Sequence, residues 1–308
     1  MTKLLQTLMD GVSVGSLYAL IALGYTMVYG ILQFINFAHS DIFMLGAWGA
    51  FVIAQCLGLT LPGAHAPLWA AFAALGGAMA LCGTMGFVIE RAAYRPLRHA
   101  PRLNVLITAI GVSLLLENIG QLSFVFGTQP QRMPALFPDT TLCTVLGVQL
   151  RLVDCMVMGI AVTLMLGLQW LIFHTRVGRA MRAVSFCPHI AALMGISVDR
   201  IVSLTFVIGS MLAAAAGVLY AAKYPGLNQS AHPTWILLGL KAFVAAVVGG
   251  IGNVRGAMLG GLLIGVVELF GAAYLSPHLR DLYVFSLLIV MLLWRPQGLL
   301  AQHRLEKV

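Results

Sequence analysis

The chain has 308 residues, of which 60% are hydrophobic and 9% charged, with a formal net charge of +8 at pH 7. A soluble domain carries roughly a quarter charged residues, so no fold of this sequence covers its own surface with polar groups. Apolar runs near the ~20 residues that cross a bilayer recur along its length, continuous rather than alternating, which selects helices over a barrel. The expected class is all-α, a polytopic membrane helical bundle.

In chain order the predicted spans are Val12 to about Phe37, Ile42–Leu59, Leu68–Ile89, Leu103–Phe126, Val153–Phe173, Ile201–Ala222, Trp235–Ile251, Ala257–Tyr274 and Leu282–Leu300. Allowing re-entrant pieces, that is about eight to ten crossings. No connection is long enough for a second folded unit, so residues 1–308 are expected to form one transmembrane domain. The first apolar stretch lacks a basic leader and an A-x-A cleavage site and reads as a retained helix.

The basic residues orient the bundle. Arg91, Arg95, Arg98 and Arg102 share one loop; Arg176, Arg179, Arg182 and Arg200 share another; Arg255, Arg295, Arg304 and Lys307 fall on the same side if the spans alternate. Twelve of eighteen basic residues thus lie on one face, which is expected to be cytoplasmic. Opposite lie Arg132, Arg151, Lys223 and Arg280; Lys3 is unassigned and Lys241 falls within a span. The net charge therefore reports topology, and nucleic acid is not an expected partner.

Several chemistries have no support. No lysine sits in a Gly-Lys-[Ser/Thr] sequence, so this chain has no P-loop. The cysteines Cys56, Cys82, Cys143, Cys155 and Cys187 show no metal spacing and are expected to be unpaired, although Cys143 and Cys155 flank one external loop. The eight histidines are scattered. No catalytic residue, metal site or cofactor is assigned.

Four features carry function. Residues 174–200 form a polar island of about twenty-seven residues between oily flanks; its second half reads as a short helix stopped by Gly195, shaped as a docking surface for a cytoplasmic partner. The segment Asn36-Phe-Ala-His-Ser-Asp41, downstream of Gly24 and Gly30, is open to two readings: a break inside the membrane, or a polar turn at the headgroups. In Gly239–Gly265, Gly249, Gly250, Gly252, Gly256 and Gly260 are expected to make a tight turn and a small-residue packing face. Finally Glu117, Lys241 and Glu268 fall at comparable depths, about 21, 15 and 17 Å from the basic face. They are expected to cluster, either tying helices together or touching cargo.

At these residues the chain resembles the LivH family, the branched-chain amino acid permeases of bacterial ABC importers. The resemblance rests on Tyr25-Thr-Met-Val-Tyr-Gly-Ile31 followed by Asn36-Phe-Ala-His39, on Gly239–Gly265, on Ala191-Ala-Leu-Met-Gly-Ile196, on Ser203-Leu-Thr-Phe-Val-Ile-Gly209 and on Pro296-Gln-Gly298. It runs nearly end to end and implies an inner-membrane permease without catalytic activity, paired with a second, LivM-like permease. Two cytoplasmic ATPase subunits that use ATP, and a periplasmic substrate-binding protein, would complete the importer within the membrane lipid. Leucine, isoleucine and valine are the implied cargo. A coupling helix would map onto about Ala183–Ile196, giving Arg179, Arg182, Ala183, Ala191, Ala192, Gly195 and Ile196 as ATPase-coupling candidates. Translocation-path candidates are Asn36, His39, Glu117, Asn118, Lys241 and Glu268. The chain departs from the family pattern at Ser40, where glycine is usual, and at Phe186-Cys-Pro-His189, where the loop is usually acidic or polar. Urea and amide permeases are close relatives and remain an alternative cargo class. The rival mechanism is an ion-coupled secondary transporter with Glu117, Lys241 and Glu268 as its relay.

Overall fold

The structure is a computed structural model and describes residues 2–34, 36–59, 67–98, 100–138, 140–145 and 147–300, without the side chains of Arg102, Cys143 and Val145. Arg304, Lys307, His65, His99 and His303 lie outside the described residues.

Among the described residues nine apolar helices run back and forth. They are α1 (Thr2–Leu32), α2 (His39–Cys56), α3 (Leu68–Ile89), α4 (Arg102–Gly120), α5 (Leu152–His174), α8 (Val198–Lys223), α9 (Pro233–Gly249), α10 (Val254–Tyr274) and α11 (Arg280–Trp294). Two shorter helices, α6 (Arg176–Phe186) and α7 (Pro188–Leu193), fill the island between α5 and α8. Seven helices among the described residues are long and apolar enough to cross a membrane. The others are α2, whose first turn is polar, and α9, which is one residue shorter than α2. Four short strands were not legible in the sequence. β2 (Thr141–Val145) and β3 (Val148–Arg151) form a hairpin, while β1 (Gln131–Arg132) and β4 (Gly226–Leu227) pair antiparallel.

Burial separates an inner layer from an outer one. Every residue from Ser13 to Val28 of α1, from His39 to Phe51 of α2 and from Leu212 to Leu219 of α8 is buried. By contrast α11 buries only Val284, and α4 turns Leu103, Ile107, Leu114 and Leu115 outward. Inner helices that are apolar all round are what a membrane core demands.

Small residues hold that core together. A Cβ on Gly261 would lie 2.4 Å from the Ala19 backbone, and one on Gly265 2.3 Å from that of Gly15, so α1 and α10 touch backbone to backbone. The turn from α9 to α10 is built the same way: a Cβ on Gly249 would meet the Gly256 carbonyl oxygen at 2.1 Å, and one on Gly260 the Ala245 oxygen at 2.1 Å. Gly250 and Gly252 serve the turn itself, with φ of 106° and 90°. They bend the chain so that Gly249 and Gly256 meet, and Asn253 caps α10 by accepting from the Arg255 and Gly256 amides. Without a hydrophobic force between helices in lipid, such close approach is what association rests on. Gly261→Leu is expected to force α1 from α10 at a cost of about 1–3 kcal/mol or more. Gly159→Leu, where nothing lies within 4 Å, should be neutral. Thermal unfolding in detergent checks the pair; equal stability would contradict the contact.

The connections sort onto two sides. The β2–β3 hairpin, the β1–β4 pair and the N-terminus share one: Lys3 Nζ donates to the Ala273 carbonyl at 3.1 Å, and Gln6 Oε1 accepts from the Gln149 amide at 3.0 Å. Lys3 therefore belongs with Arg132, Arg151, Lys223 and Arg280. The other side gathers the arginine-rich loops and residues 295–300, whose Leu299 and Leu300 amides close on the Val248 and Gly249 carbonyls. With the arginine-rich side inward, a cysteine replacing Thr140 in a cysteine-free background should label in intact cells and one replacing Ala180 should not. The opposite pattern would invert the orientation.

Candidate functional site

The segment between α1 and α2 is a break inside the membrane rather than a surface turn. The chain reverses at Gln33, whose φ of 59° is the one positive value at a non-glycine among the described residues. It then climbs back. The His39 imidazole fills the space left by Gly24: a Cβ there would sit 2.2 Å from Nε2. Gly24 lies eight residues before the end of α1, about 12 Å from the basic face. A Cβ on Gly239 would come 2.3 Å from that of Ser40, ten residues above the end of α9, or about 15 Å. Asp41 Oδ2 accepts from Ser113 Oγ at 2.5 Å, eleven residues into α4, or about 17 Å. Three neighbours thus place the start of α2 about 12–17 Å inward of the helix ends at the basic face.

Asn36, His39, Ser40 and Asp41 are all buried. Asn36 Oδ1 accepts from the Tyr94 hydroxyl at 2.6 Å, while Asn36 Nδ2 and Thr26 Oγ1 have no hydrogen-bond partner among the described residues. Tyr94 reaches Asn36 because α3 continues as a π-helical turn, Glu90–Tyr94, and a 3-10 turn, Arg95–Leu97. The wider turn aims Glu90 and Tyr94 inward. Glu90 is fully buried, bonded to Arg98 and to Ser203 Oγ at 2.5 Å; Arg98 also meets Asp199, which binds Arg95 at 2.5 Å. This network fastens the end of α3 to the start of α8 at the basic face.

The island folds as the sequence indicates, with more structure. The Thr175 hydroxyl caps α6 by accepting from the Gly178 amide at 3.0 Å. Cys187 breaks the helix in extended geometry and Pro188 opens α7 at a position that needs no amide donor. Gly195, at φ 82°, ends α7: its own amide reaches Ala192 O, and the Ile196 amide reaches back to Ala191 O at 3.0 Å. That is a glycine-stopped terminus of the Schellman type. Val184 and Ala191 form the inner seam, so Ala191 seats the helix within this chain. Outward stand Phe186, Ile190, Leu193 and Met194, at 82, 56, 75 and 78% exposure. Arg179, Arg182, Ala192 and Gly195 are exposed beside them, with Ala183 and Ile196 half-buried; Arg182 lies over the Phe173 ring. The reading by charge missed the apolar knob, although its spacing of four, three and one residues was visible. Ser185 Oγ ties α6 to the carbonyl of Gly30 at 2.5 Å, just before the break.

The depth coincidence holds for two residues of three. Lys241 Nζ meets Glu268 Oε1 at 2.9 Å and Asp281 Oδ1 at 2.6 Å, and the Tyr18 hydroxyl donates to Glu268 Oε2 at 2.8 Å. The cluster joins α9, α10, α11 and α1. Glu117 is not in it: α4 packs beside α2, and Glu117 lies near Asp41, its carbonyl accepting from Ser230 Oγ at 2.8 Å. Asn118 turns outward and bonds its own helix at Leu114 O. A second polar lock, not foreseen, sits near the hairpin side. There Lys223 binds Asp154, and Ser13 Oγ contacts both, at 2.8 Å from Lys223 Nζ and 3.1 Å from Asp154. Among the described residues no group of three or more potential ligands is placed to hold a metal.

A helical bundle with polar groups sealed inside, a polar return into the bundle between α1 and α2, and a helical knob on its basic face has the architecture of a multi-pass membrane permease. Residues 7–293 match the family described as branched-chain amino acid transport system / permease component, and the chain belongs to that family. It is 42% identical to the high-affinity branched-chain amino acid transport system permease protein BraD of Pseudomonas aeruginosa, over 99% of this chain and 98% of that protein. It is 40% identical to the corresponding permease protein LivH of Escherichia coli, over 99% and 97%. A probable branched-chain amino acid transport permease protein LivH of Methanocaldococcus jannaschii is 27% identical over 85% of this chain and 79% of that protein.

Proposed function

We propose that this chain is a membrane-spanning permease subunit of an ATP-driven importer for leucine, isoleucine and valine in the bacterial inner membrane. It works with a second LivM-like permease, two cytoplasmic ATPases that bind and hydrolyse ATP, and a periplasmic binding protein. The observation that carries the reading is the apolar knob Phe186, Ile190, Leu193 and Met194, raised on two capped helices at the arginine-rich face. A groove on a partner ATPase would bury it, as a helix face is buried in a groove. The chain itself has no P-loop to supply the energy.

The route from knob to path is short. Pro188 and Val184 border a cavity of about 600 Å³ whose other walls include Gln33, Phe34 and Tyr94, the residues of the break. A push on α7 is therefore delivered to the end of α1 through Ser185 and to the break through this cavity. The break then shifts against α4 and α9, and the apolar walls suit cargo with an aliphatic side chain. An ion relay is a weaker reading, because Lys241 is closed off by Glu268 and Asp281 while Glu117 stands apart.

The test is uptake of radiolabelled leucine, isoleucine, valine and urea into proteoliposomes holding the complete assembly. ATP-dependent uptake of the three amino acids is expected. Uptake of urea alone would reassign the cargo; uptake driven by a proton gradient without ATP would overturn the mechanism.

A further inference from the structure

We infer that the groove between the ends of α3 and α8 at the basic face is a binding site for one anionic phospholipid of that leaflet. The groove encloses about 600 Å³ and is lined by Phe87, Arg91 and Arg95 from one side and by Ser197, Asp199, Arg200, Ser203, Leu204 and Val207 from the other.

The two walls are graded in the same direction. Along α3 and its continuation, Phe87, Arg91 and Arg95 follow one another at steps of four residues, so one face passes from ring to guanidinium toward the water. Along α8 the order is Arg200, then Ser203 and Leu204, then Val207, passing from charge to apolar toward the bilayer. The charged ends of both walls meet at one level and the apolar ends at another. A phosphate at the upper level and an acyl chain along Phe87, Leu204 and Val207 match that gradient.

Charge favours an anion over a neutral headgroup. Three guanidiniums face one carboxylate, and Asp199 is engaged by Arg95 and Arg98. Among the described residues neither Arg91 nor Arg200 meets a carboxylate; Arg91 lies over the Phe87 ring, 5.9 Å from its centroid. Two unneutralised arginines and the Ser197 hydroxyl are donors to a phosphodiester, in a groove between membrane helices, while the Ser203 hydroxyl is spent on Glu90. The same wall holds the Glu90–Arg98–Asp199 network, and Ser197 directly precedes α8 after the knob. A lipid seated here therefore braces the base of the docking helices.

The experiment takes the assembled importer, purified in detergent and exchanged into nanodiscs, and measures retained phosphatidylglycerol against phosphatidylcholine by native mass spectrometry. The double variant Arg91→Gln, Arg200→Gln should weaken phosphatidylglycerol retention roughly 30-fold, at about a tenfold or less per charge. Arg132→Gln with Arg280→Gln, which removes two charges from the other side, should leave it unchanged. Arg91→Lys with Arg200→Lys is the charge-preserving variant that separates loss of charge from misassembly of the groove, and it should retain most of the lipid. A second arm adds inorganic phosphate: no displacement supports a lipid held by headgroup and chain together, whereas displacement at millimolar phosphate would make this a phosphate site and overturn the inference. Equal retention by wild type and the Gln variant, or equal retention of the two lipids, would overturn it as well.

Discussion

Lys241→Met is expected to destabilise the protein by about 3–5 kcal/mol, because removing the cation strands buried charge. Lys241 and Glu268 have 8% and 5% of their side-chain surface exposed, and Tyr18 supplies one hydroxyl to Glu268, too little to carry the charge alone. Neutralising the stranded acid should undo part of the damage, so Lys241→Met with Glu268→Gln should recover folded yield. Lys241→Met with Glu117→Gln should not, since Glu117 stands on α4, one turn beyond the Ser113 that bonds Asp41, and is no partner of Lys241. Asp281→Asn alone should cost less than Glu268→Gln, because half of the Asp281 side chain is in solvent. Folded yield and thermal unfolding of the five variants in detergent decide the matter. Rescue by Glu117→Gln rather than Glu268→Gln would mean the ion pair is misassigned.

Phe186→Asp and Leu193→Asp are each expected to reduce ATP-driven uptake about 30-fold or more while leaving membrane insertion intact. Neither side chain is needed for folding, being 82% and 75% exposed. An apolar anchor at the centre of an interface is typically worth at least about 2 kcal/mol, and a carboxylate in its place adds a desolvation cost. Co-purification of the ATPase should fall in parallel. The inward counterpart Ala191→Asp should instead disturb the folding of the loop. If the Phe186 and Leu193 variants both transport and co-purify normally, the knob is not the contact.

Span number and order, the charge bias and the glycine packing were legible because each depends on one coordinate along the chain. Depth is also such a coordinate, which is why Lys241 and Glu268 could be matched. Azimuth is not: nothing in the spacing of Glu117 says that α4 packs against α2 rather than α10. Asp281 was passed over because it stands in the first turn of α11, yet a lysine side chain spans the difference in height. In the island the arginines and the helical spacing of Ile190, Leu193 and Met194 were legible, but which side chains face outward was not. Only the inward seam of Val184 and Ala191 reveals that those residues project. The readings of Asn36–Asp41 as a turn or a break were balanced in sequence terms, and contacts with Gly24, Ser113 and Gly239 decide for the break.

The depth of that break bears on how the chain is made. α2 begins with His39, Ser40 and Asp41, so the aspartate stands in its first turn and is fully buried. Its shelter comes from elsewhere: Ser113 on α4 bonds Asp41, Gly239 on α9 admits Ser40, and Gly46 and Gly217 let α2 lie against α8. None of these exists when α2 leaves the ribosome. That shelter is complete only once α8 and α9 have been synthesised, some 170–200 residues later. A chain stopped before α8 would therefore leave the polar start of α2 without two of the helices that enclose it.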